Sequence, residues 1–275
     1  MHGVEYVLDL CELLIKTYPV DTLAFWDDTM GTKRDRLMKI CEGMLKRGIS
    51  KKIKWYAALR ADQVDLELLR TMKQANCFNV AFGIESGSDR VLKLLRKGIS
   101  VEQNRAACAQ VKEAGLALGV SIIVGTPGET LDDVRQTLDF CRGIDCDSIG
   151  CGRFRPLPGS PSYKELKAQG LINPSDVDWR TLGNFSLDEG PCYADMSAKA
   201  FRAVMKEVRD ECWHMNRKKF IQNNTASHPE IVELYYGRKR PPPSGYLRVV
   251  KECVRLVTPP IVADGIWRLR KVLRP

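Results

Sequence analysis

Carboxylates and guanidiniums recur in this 275-residue chain at one kind of place, directly after a short apolar run. Asp27 and Asp28 close TLAFWDD, Arg60 closes KWYAALR, and Glu85 with Ser86 closes FNVAFGIES. Gly125, Pro127, Gly128 and Glu129 close ALGVSIIVGTPGE, while Arg153 and Arg155 close SIGCGRFR. A lone charge beside a buried run is costly to bury, so such groups reach solvent or grip a ligand. An acid pair suits a metal, a ligand ammonium or water. Hard-metal binding needs further oxygen ligands that do not accompany Asp27 and Asp28, so ammonium binding is favoured. The arginines suit a carboxylate or phosphate held bidentately, with surface ion pairing the alternative at each. Glu85 suits ligand hydroxyls or amines, because Gly83 and Gly87 let the backbone approach closely. The alternative for FGIESGS is a plain turn in which Ser88 caps a helix starting at Asp89, and both can hold. GTPGE reads as a rigid turn feeding a helix at Thr130, whose N-terminus favours polar or anionic groups.

These residues need strands to hold them. Val4, Val7, Leu8, Cys11, Leu14, Ile15 and Tyr18 recur at helical spacing, and Pro19 stops that helix. Strands are expected near 20–26, 53–59, 78–84, 117–124 and 147–154. Helices are expected over Leu37, Ile40, Cys41 and Met44, and at 65–75, 88–95, 101–114 and 131–142. Ser100 and Gln103 fit a capping box. Gly48 and Gly115 mark helix ends. Near-continuous apolar strands between helices predict a parallel sheet buried on both faces. The fold class is therefore α/β, a partial TIM-like β/α barrel of five parallel strands with a C-terminal helical extension. In such a barrel the site gathers at the C-terminal ends of the strands. The expected domains are 1–172 for the barrel and 173–275 for a basic, mainly helical extension. Beyond Arg155 a Pro/Gly/Ser-rich loop surrounds a short helix, then an amphipathic helix spans 197–220 and RPPPSG breaks the chain at 240–245.

Composition narrows the classes further. The net charge is +9, and residues 201–275, with 16 basic and 7 acidic side chains, account for the whole excess. That points to a solvated helical surface rather than nucleic acid, since no nucleic-acid motif accompanies it. The last segment, IVADGIWRLRKVLRP, could meet a membrane surface, although docking on its own domain is favoured. No run is long and apolar enough for a membrane span. The N-terminus has no signal-peptide pattern, and ten scattered cysteines fit reduced thiols in a cytoplasmic chain. Cys141, Cys146 and Cys151 match no zinc spacing and read as core packing. Only three histidines, His2, His214 and His228, leave little room for histidine chemistry.

The order FWDD, LRAD, FGIESGSDRVLKLLRKG, IIVGTPGET and RPLPGSPSY resembles the radical S-adenosylmethionine enzymes, in particular their cobalamin-associated branch, over residues 1–172. The resemblance implies an iron–sulfur enzyme in which a four-iron four-sulfur cluster reductively cleaves S-adenosylmethionine. A radical then abstracts hydrogen from a small-molecule substrate, with methyl or methylthio transfer and ring formation all open. By position, Asp27 and Asp28 resemble the segment that holds the methionine amino group, and Glu85 the residue that grips the ribose. Gly125–Glu129 resembles the segment packed on adenine, while Arg60 and Arg153 or Arg155 would face the carboxylate or substrate. The family's Cys-x3-Cys-x2-Cys signature has no counterpart in this sequence. The expectation is a chain that starts just downstream of the cluster loop, by gene truncation or splitting. Its first strand would then be an exposed edge that a partner polypeptide covers. A non-catalytic S-adenosylmethionine- or partner-binding barrel remains open, as does a cluster-free barrel enzyme using Asp27, Asp28 and Glu85 as acid/base groups.

Overall fold

A computed structural model describes residues 2–173 and 191–224. The chain divides into two compact units, Met1–Cys212 and Trp213–Pro275; the breaker at 240–245 and the basic last segment lie outside the described residues. Five strands, β1 (Thr22–Phe25), β2 (Lys54–Leu59), β3 (Cys77–Glu85), β4 (Ala117–Val124) and β5 (Ser148–Arg153), pair in parallel and in chain order. They curl into a half-barrel. Between them run α1 (Val4–Thr17) before β1, α2 (Arg34–Lys46), α3 (Leu66–Gln74), α4 (Asp89–Leu94), α5 (Val101–Glu113) and α6 (Leu131–Arg142). After β5 come α7 (Pro161–Ala168) and α8 (Ala198–Asn224). Each anticipated strand is present.

The helix-facing side of the sheet is the core. Trp55, Ala57 and Leu59 of β2, Val80, Phe82 and Ile84 of β3, and Leu118, Val120, Ile122 and Val124 of β4 are all buried. Burying a side chain of this size contributes about 1.5–3 kcal/mol relative to leaving it exposed. Phe25 of β1 joins this side by packing edge-on against Trp55, with ring centroids 5.4 Å apart. The opposite, concave side departs from the expectation of burial on both faces. Tyr56, Ala58, Asn79, Ala81, Gly83 and Ile123 are only half-buried, and Ser121 is exposed. Five strands do not close a barrel, and Ile123 alone of these positions packs on the buried cluster of Phe154, Leu166 and Ile172.

Helix ends follow local chemistry. Gly48 at φ 69° and Gly115 at φ 73° take the left-handed conformation that ends a helix. Ser100 with Gln103 and Thr130 with Asp133 form capping boxes that open α5 and α6. Ser88 corrects the expectation. It precedes α4 but its oxygen accepts no cap bond; the hydroxyl is turned towards Asp133, to which it donates at 2.7 Å. No helix among the described residues is long and apolar enough to cross a membrane.

Candidate active-site rim

The ends of β2 and β3 carry a connected set of charges. Arg60 donates twice to Asp62, Nε to Oδ1 at 2.9 Å and Nη2 to Oδ2 at 2.7 Å. Its Nη2 also donates to the Lys97 carbonyl at 2.9 Å. The Lys97 ammonium in turn donates to Glu85 Oε1 at 2.9 Å. Side chains of this set are 17–31% exposed, so a ligand in the mouth can reach them. The Arg60 hydrogen bonds hold the Asp62 carboxyl below its ordinary range, and the Asp62 carboxylate raises Arg60.

Local backbone geometry aims Glu85. The β3–β4 register slips between Gly83 and Glu85, and Glu85 adopts φ 66°, a conformation that costs a non-glycine residue about 1–2 kcal/mol. Its side chain folds back over Gly83, where an added Cβ would collide with Glu85 Oε1. Only glycine leaves that space. Lys97 is delivered by the end of α4, where Arg96 at φ 52° and Gly98 at φ 70° reverse the chain. The Lys97 N–H closes that turn on the Leu92 carbonyl at 3.0 Å. Asp27 and Asp28 are exposed beyond β1, next to Trp26, which is 88% exposed. Their loop is tied to the Arg60 loop by Thr29 Oγ1 donating to Gln63 Oε1 at 3.0 Å.

The other strand ends are built differently. Ser86 is fully buried; its hydroxyl pairs with Thr137 Oγ1 at 2.9 Å and accepts from the Ser88 N–H at 3.1 Å. Glu129 is also fully buried, and its Oε2 accepts from the Gly125 and Thr126 N–H groups at 2.5 and 3.2 Å. Burial pushes its carboxyl up to about 7, against the downward pull of those two N–H groups. Glu129 Oε1 and Thr126 Oγ1 are buried without a hydrogen-bond partner. Pro127 is half-buried and Gly128 exposed at the tip of the turn. Asp133 lies beneath, accepting from Ser88, Arg90 and Thr130. Burial alone would raise its carboxyl, but those donors outweigh it and hold it well below the usual range.

Arg153 shares its side of β5 with buried Ile149, so it points towards α8. It lies over the Phe201 ring at 4.7 Å and donates to the Pro191 carbonyl. Burial lowers its guanidinium from the ordinary value. Arg155 is half-buried just beyond β5. The structure thus joins Arg60 and Glu85 in one network, ties the Asp27–Asp28 loop beside it, and places Ser86, Glu129 and Arg153 inside or behind the rim. Sequence reasoning missed Lys97, Asp62 and Asp133. The left-handed turn signal in RKG was the available pointer to Lys97, and the Thr130-x-x-Asp133 capping box was the pointer to Asp133.

Comparison with known proteins agrees with this architecture. An uncharacterized methyltransferase of Pyrococcus horikoshii is 32% identical over 180 residues, covering 65% of this chain and 38% of its own length. The anaerobic magnesium-protoporphyrin IX monomethyl ester cyclase of Cereibacter sphaeroides is 27% identical over 165 residues, covering 59% of this chain and 27% of its own. The chain thus spans well under half the length of these relatives. Among solved structures, the radical S-adenosylmethionine methyltransferase TsrM of Kitasatospora setae, with cobalamin and a [4Fe-4S] cluster bound, superposes with a TM-score of 0.58 at 19% identity. That match covers 62% of this chain and 34% of TsrM, and it speaks to the fold. The model of the radical SAM superfamily matches residues 3–141, from α1 through β4 and nearly all of α6, and this chain belongs to that superfamily.

Proposed function

We propose that this chain supplies the S-adenosylmethionine-binding barrel of a radical enzyme that transfers a methyl group or closes a ring. The observation that carries this reading is the Arg60–Lys97–Glu85 network, held part-exposed at the ends of β2 and β3 with Glu85 in a strained backbone conformation. Strain of that kind collects where a side chain must be aimed.

The donor set fits S-adenosylmethionine. Lys97 and Arg60 are cations suited to its carboxylate, and Asp27 and Asp28 are acceptors suited to its ammonium. Glu85 accepts from ribose hydroxyls. The turn from Gly125 to Glu129 offers a heterocycle its tip, half-buried Pro127 and exposed Gly128. Bound and reduced, S-adenosylmethionine supplies a carbon radical that abstracts hydrogen. The chain's own contribution is to bind and orient it: releasing Lys97 from Glu85 frees one cation for the carboxylate and one carboxylate for the hydroxyls.

A four-iron cluster does not fit the described residues. Among them no three Cys, His, Asp or Glu side chains stand close enough to hold a metal ion, and six of their nine free cysteines are buried. The roles of the rim residues are therefore binding and orientation. Cobalamin use rests on the family resemblance alone. An acid/base barrel is disfavoured, since the carboxylate pushed up to about 7 is Glu129, enclosed by its own turn.

Equilibrium dialysis with labelled S-adenosylmethionine tests the reading. The chain is expected to bind it, and Glu85→Gln to weaken binding about 10-fold, the loss of roughly one charge-assisted hydrogen bond. No binding by the folded wild-type chain, or equal binding by Glu85→Gln, would overturn it. Anaerobic reconstitution with iron and sulfide gives a separate readout. About four irons per chain would show that ligands for a cluster exist after all.

A further inference from the structure

The N-terminal ends of the strands, opposite the rim, carry a second set of charges. Residues 1–200 hold 27 basic and 27 acidic side chains, but that balance is not local. Lys51, Lys52 and Lys54 lie where the chain enters β2, and Lys73 stands in the last turn of α3; all four are exposed. Lys97 and Lys112 are taken up in ion pairs, whereas these four form none among the described residues. Asp21 is the acid beside them: its carbonyl accepts from the Lys54 N–H at 2.9 Å, and its carboxylate accepts from Thr22 Oγ1 at 2.7 Å. Glu113, Asp145 and Asp147 at the same end face Arg70 and Lys112 instead.

Asn76 holds this surface in shape. It takes the left-handed conformation at φ 67°, and its Nδ2 donates to the Ser50 carbonyl at 3.0 Å and the Ile53 carbonyl at 2.8 Å. Its own carbonyl accepts from the Trp55 N–H at 3.2 Å. The loop bearing Lys51 and Lys52 is thus fastened to the turn that leads into β3. Two residues beyond Asn76, Phe78 is 37% exposed. The Lys54 ammonium lies 5.6 Å from its ring centroid, and Tyr56 meets that ring edge-on at 5.7 Å. An uncovered ring therefore stands among cations that no carboxylate of the described residues holds.

We propose that this end of the sheet is a docking surface for a single-stranded nucleic acid. Lysines without carboxylate partners suit a polyanion, and an exposed ring among them separates one polyanion from the others. A single strand offers both parts at once, base faces that stack on Phe78 and phosphates that meet the flanking lysines. A duplex presents its phosphates but keeps its base faces stacked inside. An acidic peptide leaves the ring without a partner of its own. A bilayer takes up rings that project into it, and Phe78 lies against Tyr56 instead. The surface is separate from the rim: at about 3.3 Å per residue along β2, Lys54 stands roughly 20 Å from Arg60. The proposal thus goes beyond S-adenosylmethionine binding and does not depend on it.

The test is fluorescence anisotropy of the full chain with a labelled mixed-sequence RNA of about 12 nucleotides, titrated at about 50 and 200 mM salt. Lys52→Glu combined with Lys54→Glu is expected to weaken binding at least about 10-fold and to flatten the log–log salt slope by about 1.4. Phe78→Ala is expected to weaken it about 10-fold with the slope unchanged. Lys164→Glu combined with Lys167→Glu, on α7 at the other end of the strands, makes the same change in net charge and should leave binding within about 2-fold. That control matters because residues 201–275 carry the chain's excess of positive charge. No binding by the wild type, an equal loss in the α7 pair, or a duplex bound as tightly as the single strand would each overturn the proposal. So would tighter binding to phosphatidylserine vesicles than to the RNA. Ultraviolet cross-linking of the RNA to the wild type should mark the peptide that bears Phe78, and a map without it overturns the proposal even if a variant fails to fold.

Discussion

At the ends of β2 and β3 the charged groups pair with one another across half-exposed contacts, whereas at the ends of β4 and β5 they are consumed inside the fold. Glu85 and Glu129 show the contrast. Both follow an apolar strand, but Glu85 keeps 17% of its side chain exposed and holds a lysine that a ligand can displace. Glu129 has no exposure and holds the N–H groups of its own turn. Arg60 and Arg153 differ in the same way: Arg60 joins the mouth network, and Arg153 stacks on α8. A strand end therefore offers a position, and burial with the available partners decides whether the residue there binds a ligand or builds the turn.

That difference is open to breakage by mutation. The largest effect is expected on the closed side. Gly125→Ala forces a Cβ at φ 95° to within 2.8 Å of the Phe201 ring, so backbone strain and overpacking add. Urea denaturation should show a loss of about 3–4 kcal/mol. Asp133→Ala comes next, at about 3 kcal/mol, because Ser88 and Thr130 lose a buried acceptor together. A loss below about 1 kcal/mol for either variant would mean that this half is as loosely held as the other.

Glu129→Gln separates charge from shape in the same turn. Its folded carboxyl stands at about 7 and the ordinary value is 4.5, so between those pH values the unfolded chain binds fewer protons than the folded one. The contribution of Glu129 is thus fully present below about pH 4.5 and falls as pH rises through about 7. An amide keeps an acceptor for the turn and does not titrate. The wild type should therefore lose about 3 kcal/mol more than Glu129→Gln between pH 4.5 and 7.5. Parallel stability–pH curves would show that Glu129 does not titrate in that window.

Much of the layout was legible, because each strand is an apolar run bounded by turn residues and each helix carries its own stripe. Arg153 could have been read as facing α8, since it lies two and four residues beyond Cys151 and Ile149 on the same side of a strand. Two features were not legible. Ser88 has the right type and place for a helix cap, yet its hydroxyl turns to donate to a buried carboxylate 45 residues away, and that contact exists only after folding. The openness of the concave side depends on how many strands close the barrel, a global property that no local pattern carries. Lys97 falls between these cases, since its turn was readable but its reach to Glu85 was not.

The smallest stability effect is expected on the open side, where function should change most. Glu85→Gln and Lys97→Met each remove one member of a part-exposed pair, and such pairs contribute about 1 kcal/mol or less. Both variants should unfold within about 1 kcal/mol of the wild type, and Glu85→Gln should regain part of the strain only if its backbone relaxes. Ligand binding separates the two. If Lys97 meets the carboxylate and Glu85 the hydroxyls, each variant weakens S-adenosylmethionine binding independently, and the double variant loses the sum of the two. If the lysine serves only to hold the glutamate, the double variant binds no worse than Glu85→Gln alone. A double-mutant cycle on affinity therefore tells whether the pair is opened by the ligand or remains closed beside it.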